Sequence, residues 1–172
     1  MTENPHLTLI LGGARSGKSA YAEGLVMAYS GPWIYIATAQ AFDDEMRARI
    51  SMHQSRRGGG WRTIEAPQEL PDAIRNARGD APLLVDCLAI WLSNRMHVNA
   101  DLAADRAALL AALTARTAPT IVVSPEVGLS IVPENALARA FRDAAGLMHQ
   151  EVAQIAAHVA LIVAGYPVKV KG

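Results

Sequence analysis

The chain has a single cysteine, Cys87, in 172 residues, and it sits inside an apolar run. That excludes an intramolecular disulfide framework and suits a reducing cytoplasm. Aromatic residues make up only 5%, too few for the stacking platforms of a single-strand nucleic-acid binder. Neither sign of charge is in excess: 16 Lys and Arg balance 16 Asp and Glu, so no broad basic surface for nucleic acid is expected. No apolar stretch approaches the roughly 20 residues of a membrane span. Met1-Thr2-Glu3-Asn4-Pro5 lacks the charged and apolar regions of a secretory signal. Histidines and cysteine never fall at metal-ligand spacing. No internal repeat or low-complexity linker interrupts the chain. The expectation is a cytoplasmic protein with no membrane span and no nucleic-acid partner. Its 51% hydrophobic content argues against disorder, and its length suits one sizeable core.

The apolar run Leu7-Thr8-Leu9-Ile10-Leu11 is followed by Gly12-Gly13-Ala14-Arg15-Ser16-Gly17-Lys18-Ser19. This is the phosphate-binding pattern G-x-x-x-x-G-K-[ST], placed after a strand and before a helix. Its glycines let the backbone turn its N–H groups toward phosphate oxygens. Lys18 brings a point charge for the β/γ-phosphates, and Ser19 brings a hydroxyl ligand for Mg²⁺. The helix expected over residues 19–28 aims its positive end at the same place. The motif names a nucleoside triphosphate and leaves the reaction open.

Further apolar runs at residues 33–37, 83–86, 120–123 and 160–164 read as strands covered on both faces. Helices are expected at 42–55, 67–77 and 101–116, and over 133–158. In the last, Leu137, Phe141, Ala145, Met148, Val152, Ile155 and Val159 form one apolar stripe and Pro133 suits the first turn. The alternation predicts an α/β, P-loop NTPase-like fold, a mostly parallel sheet flanked by helices, as a single nucleotide-binding domain over 1–172. Ligands then sit at the carboxyl ends of the strands. Residues 58–60, three glycines, suit a mobile loop.

Asp86 ends an apolar strand, where a carboxylate holds Mg²⁺ or, alternatively, caps the segment that follows. In the basic stretch 47–61, helical spacing puts Arg49, His53 and Arg57 on one face. Flanking cations keep His53 neutral and nucleophilic, although spacing alone favours a solvated basic face. Glu126, after the fourth strand, either touches substrate or metal or caps a turn. His6, His97, His149 and His158 fall in no cluster. Trp33, Trp61 and Trp91 read as packing residues.

Together these pieces resemble a known family, the bifunctional adenosylcobinamide kinase / adenosylcobinamide-phosphate guanylyltransferases of cobalamin biosynthesis. The resemblance runs in order along the chain: the 12–19 motif, Tyr35-Ile36-Ala37-Thr38-Ala39, Asp43-Asp44-Glu45-Met46, Arg49-Ile50-x-x-His53 and Trp61-Arg62-Thr63-Ile64-Glu65. It continues through Leu84-Val85-Asp86-Cys87-Leu88, Glu126-Val127-Gly128, Ile131-Val132-Pro133-Glu134-Asn135 and Phe141-Arg142-Asp143-x-x-Gly146. The chain departs from some members at Pro125, Ser130 and Asp86. The resemblance implies ATP or GTP as phosphate donor, adenosylcobinamide and its phosphate as corrinoid substrates, and GMP transfer through His53. It also implies guanine-nucleotide contacts from the P-loop, Ala37, Thr38, Ala39, Gln54, Ser55, Arg56, Arg57, Glu65 and Asp86, and a homotrimer. A P-loop kinase of another small alcohol, with no use for His53, is the alternative, and a nucleotide-driven switch is a third reading.

Overall fold

The structure is a computed structural model that describes residues 3–40 and 58–172; the helix expected at 42–55 lies outside them. The strands are β1 (Asn4–Gly12), β2 (Trp33–Ala37), β3 (Trp61–Glu65), β4 (Leu83–Asp86), β5 (Thr120–Pro125), β6 (Ala156–Val163) and β7 (Tyr166–Lys171). The described helices are α1 (Lys18–Met27), α2 (Leu70–Asn76), α3 (Leu88–His97), α4 (Leu102–Thr114) and α5 (Ala136–Ile155). The strands form one sheet in the order β3-β2-β4-β5-β1-β6-β7, parallel except for the β6–β7 hairpin.

The runs are apolar throughout because both faces of the sheet are buried. Leu7, Leu9, Ile34, Ile36, Leu83, Val85 and Val122 point to one face, where α2, α3, α4 and α5 pack. Ile10, Tyr35, Leu84, Ile121 and Val123 point to the other, against Ala22 and Val26 of α1. Alternate residues thus feed two separate cores. Each fully buried Leu or Ile contributes roughly 1.5–3 kcal/mol.

Several boundaries differ from the sequence expectation. Pro133 lies ahead of α5: Asn135 is the N-cap, its side chain accepting from the N–H groups of Leu137 and Ala138. The helix stops at Ile155 instead of 158, so Val159 is buried as a strand residue. Leu137, on the expected stripe, is 62% exposed. Ala164 leaves β6 and, with Gly165, forms a two-residue hairpin turn in which both have positive φ (51° and 87°), the hand that matches strand twist. Gly60 is pinned rather than loose. Its carbonyl accepts from Trp33 N–H at 2.9 Å, and with φ of 103° an added Cβ would lie 3.1 Å from the Trp33 ring. Helix α3 and the two edge strands β3 and β7 were not expected.

The amino-terminal edge of the sheet is sealed by buried polar side chains. Asn4 Nδ2 donates to the carbonyls of Leu113 and Arg116. The Arg116 guanidinium donates to the carbonyls of Ala77, Arg78 and Ala81 and to Thr120 Oγ1. Burial lowers the Arg116 pKa, but these carbonyls satisfy its donors where α2 and α4 end.

Candidate active site

Gly12 ends β1, and residues 13–17 carry the chain into α1. Gly17, the N-cap of α1, has φ of 92°, a conformation that costs a residue with a Cβ about 1–2 kcal/mol. Room is short as well: a Cβ on Gly17 would lie 3.2 Å from Gly165 Cα, and one on Gly12 would meet Ser16 Oγ and the Ile162 carbonyl. The loop is therefore wedged against the β6–β7 hairpin, and Gly165 N–H donates to the Ser16 carbonyl at 2.8 Å. Lys18 Nζ donates to the Gly13 carbonyl at 3.1 Å, closing the loop on itself. Ala14 and Arg15 are exposed at the mouth, and Ser19 is half-buried in the first turn of α1.

Strand register brings other expected residues to the same carboxyl-terminal edge. Glu65 lies beside Ala37, Ala37 beside Asp86, Asp86 beside Val123, and Pro125 beside Gly12. Asp86 is half-buried and Glu65 exposed. Asp86 and Lys18 both act electrostatically on the Cys87 thiol, the first raising its pKa and the second lowering it. The larger cause is burial, and the thiol is pushed up to about 12, which makes Cys87 inert as a nucleophile.

Thr38 and Ala39 follow β2 at this edge. Thr38 is fully buried, and its hydroxyl accepts from Cys87 N–H and donates to the Cys87 carbonyl, both at 2.8 Å. Asn94 Nδ2 then ties the carbonyls of Thr38 and Pro67 together. The Thr38 side chain thus fixes the backbone beside Asp86. His53, Gln54, Ser55, Arg56 and Arg57 lie outside the described residues. Of the tryptophans, Trp91 is buried with its Nε1 donating to Gln68 O, and the Trp33 and Trp61 rings meet at a tilt of 42° with centroids 5.5 Å apart, so all three pack.

One polar cluster at this edge was not anticipated. His149, on α5, is buried with Nε2 2.7 Å from Ser124 Oγ and Nδ1 3.7 Å from Glu126 Oε2. The contact spans 25 residues, so local spacing carries no signal of it. Only the ligand-edge position of Ser124-Pro125-Glu126 hinted at this site.

A family model described as "Cobinamide kinase / cobinamide phosphate guanyltransferase" matches residues 8–170. The chain belongs to that family. Among the relatives of this cobinamide kinase / guanyltransferase chain, the "Bifunctional adenosylcobalamin biosynthesis protein CobP" of Pseudomonas aeruginosa is 45% identical over 167 residues, covering 95% of this chain and 96% of that one. The proteins named CobU in Escherichia coli and Salmonella typhimurium are 38% and 39% identical, each covering 96% of this chain and 99% of theirs. The flagellar accessory protein FlaH of Methanocaldococcus jannaschii, at 14% identity, shares the fold with a TM-score of 0.54 over 99% of this chain and 80% of that chain.

Among the described residues of this family member, no three His, Cys, Asp or Glu side chains cluster as a metal cage. Mg²⁺ does not need one, since one or two protein oxygens and the nucleotide phosphates complete its octahedron. The Ser19 hydroxyl and the Asp86 carboxylate fit that requirement in type, one in the first turn of α1 and the other ending β4. No described helix is long and apolar enough to cross a membrane.

Proposed function

We propose that this chain phosphorylates adenosylcobinamide with ATP or GTP and then carries GMP from GTP, through His53, to the phosphorylated corrinoid, giving adenosylcobinamide-GDP. The observation that carries this reading is the alignment of the P-loop, Asp86, Ala37 and Glu65 along one strand edge in a chain of this family.

In the first reaction the P-loop N–H groups and Lys18 hold the triphosphate and stabilise charge that spreads over the transferred group. Ser19 and Asp86 would hold Mg²⁺, which would supply neutralisation of the phosphates. The acceptor hydroxyl oxygen bonds to the γ-phosphorus as the β–γ bridging bond breaks, and the nucleoside diphosphate leaves with the electron pair. In the second, a His53 nitrogen attacks the α-phosphorus of GTP and pyrophosphate departs. The resulting phosphoramidate then gives GMP to the acceptor phosphate, splitting one hard displacement into two easier ones. Glu65, exposed at the end of edge strand β3, is suited to accept from N1–H and the 2-amino group of guanine. Gln54 to Arg57 and Ala37 to Ala39 complete the nucleotide contacts in this reading. It places the enzyme in the cytoplasm, as a homotrimer of one nucleotide-binding domain per chain.

The test uses GTP labelled on the α-phosphate, mixed with Mg²⁺ and protein and then denatured. Label that stays on the chain, is lost in acid, survives base and is absent in His53→Ala supports the histidine route. Unlabelled but folded and active protein rejects it.

A further inference from the structure

Strand β5 lies between the P-loop strand β1 and β4, which ends in Asp86. Its carboxyl end is flanked by Gly12, the partner of Pro125, and by Asp86, the partner of Val123. Glu126 comes next and is fastened there, its N–H donating to the Gly12 carbonyl at 3.0 Å. Its side chain is 21% exposed.

Each carboxylate oxygen has a neighbour among the described residues. Oε1 accepts from Gly128 N–H. Oε2 faces His149 Nδ1 at 3.7 Å, an electrostatic contact too long for a hydrogen bond. Burial lowers the His149 pKa against the opposing pull of Glu126, so the ring is neutral at neutral pH and carries one N–H. With that N–H on Nδ1, facing the carboxylate, Nε2 accepts from Ser124 O–H at 2.7 Å. This is no nucleophilic triad, because Ser124 is fully buried. The polarity is reversed: the serine anchors the imidazole, the imidazole faces the carboxylate, and the carboxylate is the most exposed of the three.

We propose that Glu126 is the base that takes the proton of the acceptor hydroxyl during phosphoryl transfer, and that His149 and Ser124 position it. The proposal rests on the kinase reading above. Glu126 keeps lone pairs beyond its present contacts. The acceptor O–H bond breaks, its proton forms a carboxyl O–H on Glu126, and the freed electron pair forms the bond to the γ-phosphorus while the diphosphate leaves. The proton then passes to solvent. Gly128, which holds Oε1, also lines a groove with Arg142, Gly146, Leu147 and Gln150, and Leu129 and Ile131 beyond it are 83% and 93% exposed. A large acceptor with an apolar body thus has a surface beside the carboxylate. Guanylyl transfer needs no such base, because its attacking groups are a neutral imidazole and a phosphate that is already an anion.

The asymmetry supplies the test. Glu126→Gln keeps the size of the side chain and an oxygen for Gly128 N–H while removing the basicity. With adenosylcobinamide and ATP, kcat should fall about 100-fold or more with little change in the KM for ATP, while covalent labelling from α-labelled GTP stays within about threefold of wild type. A phosphoryl-transfer kcat within about threefold of wild type, or parallel loss of both reactions, overturns the proposal. Failure of the wild-type chain to phosphorylate adenosylcobinamide overturns the kinase reading instead. If the Gln variant does not fold, Glu126→Asp serves: a kcat loss confined to phosphoryl transfer supports the role, and equal loss of both reactions rejects it. His149→Phe should lower the same kcat about tenfold and add nothing when combined with Glu126→Gln; losses that multiply reject the positioning role.

Discussion

The two ends of the sheet are built by opposite rules. At the amino-terminal edge Asn4 and Arg116 are both buried, and their side-chain N–H groups donate to carbonyls near the ends of α2 and α4 and to Thr120 Oγ1. At the carboxyl-terminal edge, polar groups are left open. Among the described residues, Lys18 bonds to the Gly13 carbonyl of its own loop, Glu65 is exposed, and Ser16 Oγ is buried without a partner. A saturated end contributes to stability; an unsaturated one waits for a ligand. The two ends should therefore fail differently.

The largest effect is expected at the open end. Lys18→Ala should cut both reactions about 1000-fold, near 4 kcal/mol of transition-state stabilisation, while the melting temperature stays unchanged because its bond to the Gly13 carbonyl is at the surface. Assays of each reaction beside a thermal melt check both halves. At the sealed end, Arg116→Met should destabilise the fold by about 3 kcal/mol, since it strands buried carbonyls. The folded fraction should keep the wild-type kcat, as denaturant unfolding and active-site titration would show.

The same contrast governs what the sequence reveals. The open end is largely local: eight consecutive residues make the P-loop, and short apolar runs place Asp86 and Ala37 at strand ends. The sealed end joins Asn4 to Leu113 and Arg116 to Ala77, more than 35 residues apart, and no periodicity encodes such pairs. The Ser124–His149 contact is hidden for the same reason, although it serves the open end. Strand β3 escapes because it is an edge: Arg62 and Thr63 are exposed, so it has no apolar run. Strand β7 escapes because it carries Pro167, which an edge strand tolerates. Helix α3 escapes because the apolar residues of β4 run straight into it, and its N-cap, Cys87, offers no side-chain cap. His53 is expected both from its place between Arg49 and Arg57 and from the family resemblance, while spacing alone favours a solvated basic face, and it lies outside the described residues.

His149 lets the comparison be sharpened by pH. Its folded pKa is lowered, so its neutral form is favoured by folding. Its stabilisation is present above the ordinary histidine value and is lost as pH falls from about 6.5 through the folded pKa. The slope of unfolding free energy against pH below about 6.5 should flatten in His149→Phe. Chemical denaturation at closely spaced pH values would show whether the slopes stay equal, which would contradict the buried neutral ring.

The smallest effect is expected at the hairpin turn. Ala164→Gly relieves a non-glycine residue at φ of 51° and should stabilise by up to about 1 kcal/mol, read as a rise of a few degrees in melting temperature.

That hairpin has a use in the laboratory. The Gly165 amide, in a turn on the outer edge of the sheet, is held by the Ser16 carbonyl inside the P-loop. In a nitrogen-15 spectrum its resonance reports from the rim of the phosphate cradle without touching the phosphate. Titrating ATP, GTP and their diphosphates in turn would let one backbone signal show how the loop settles around each.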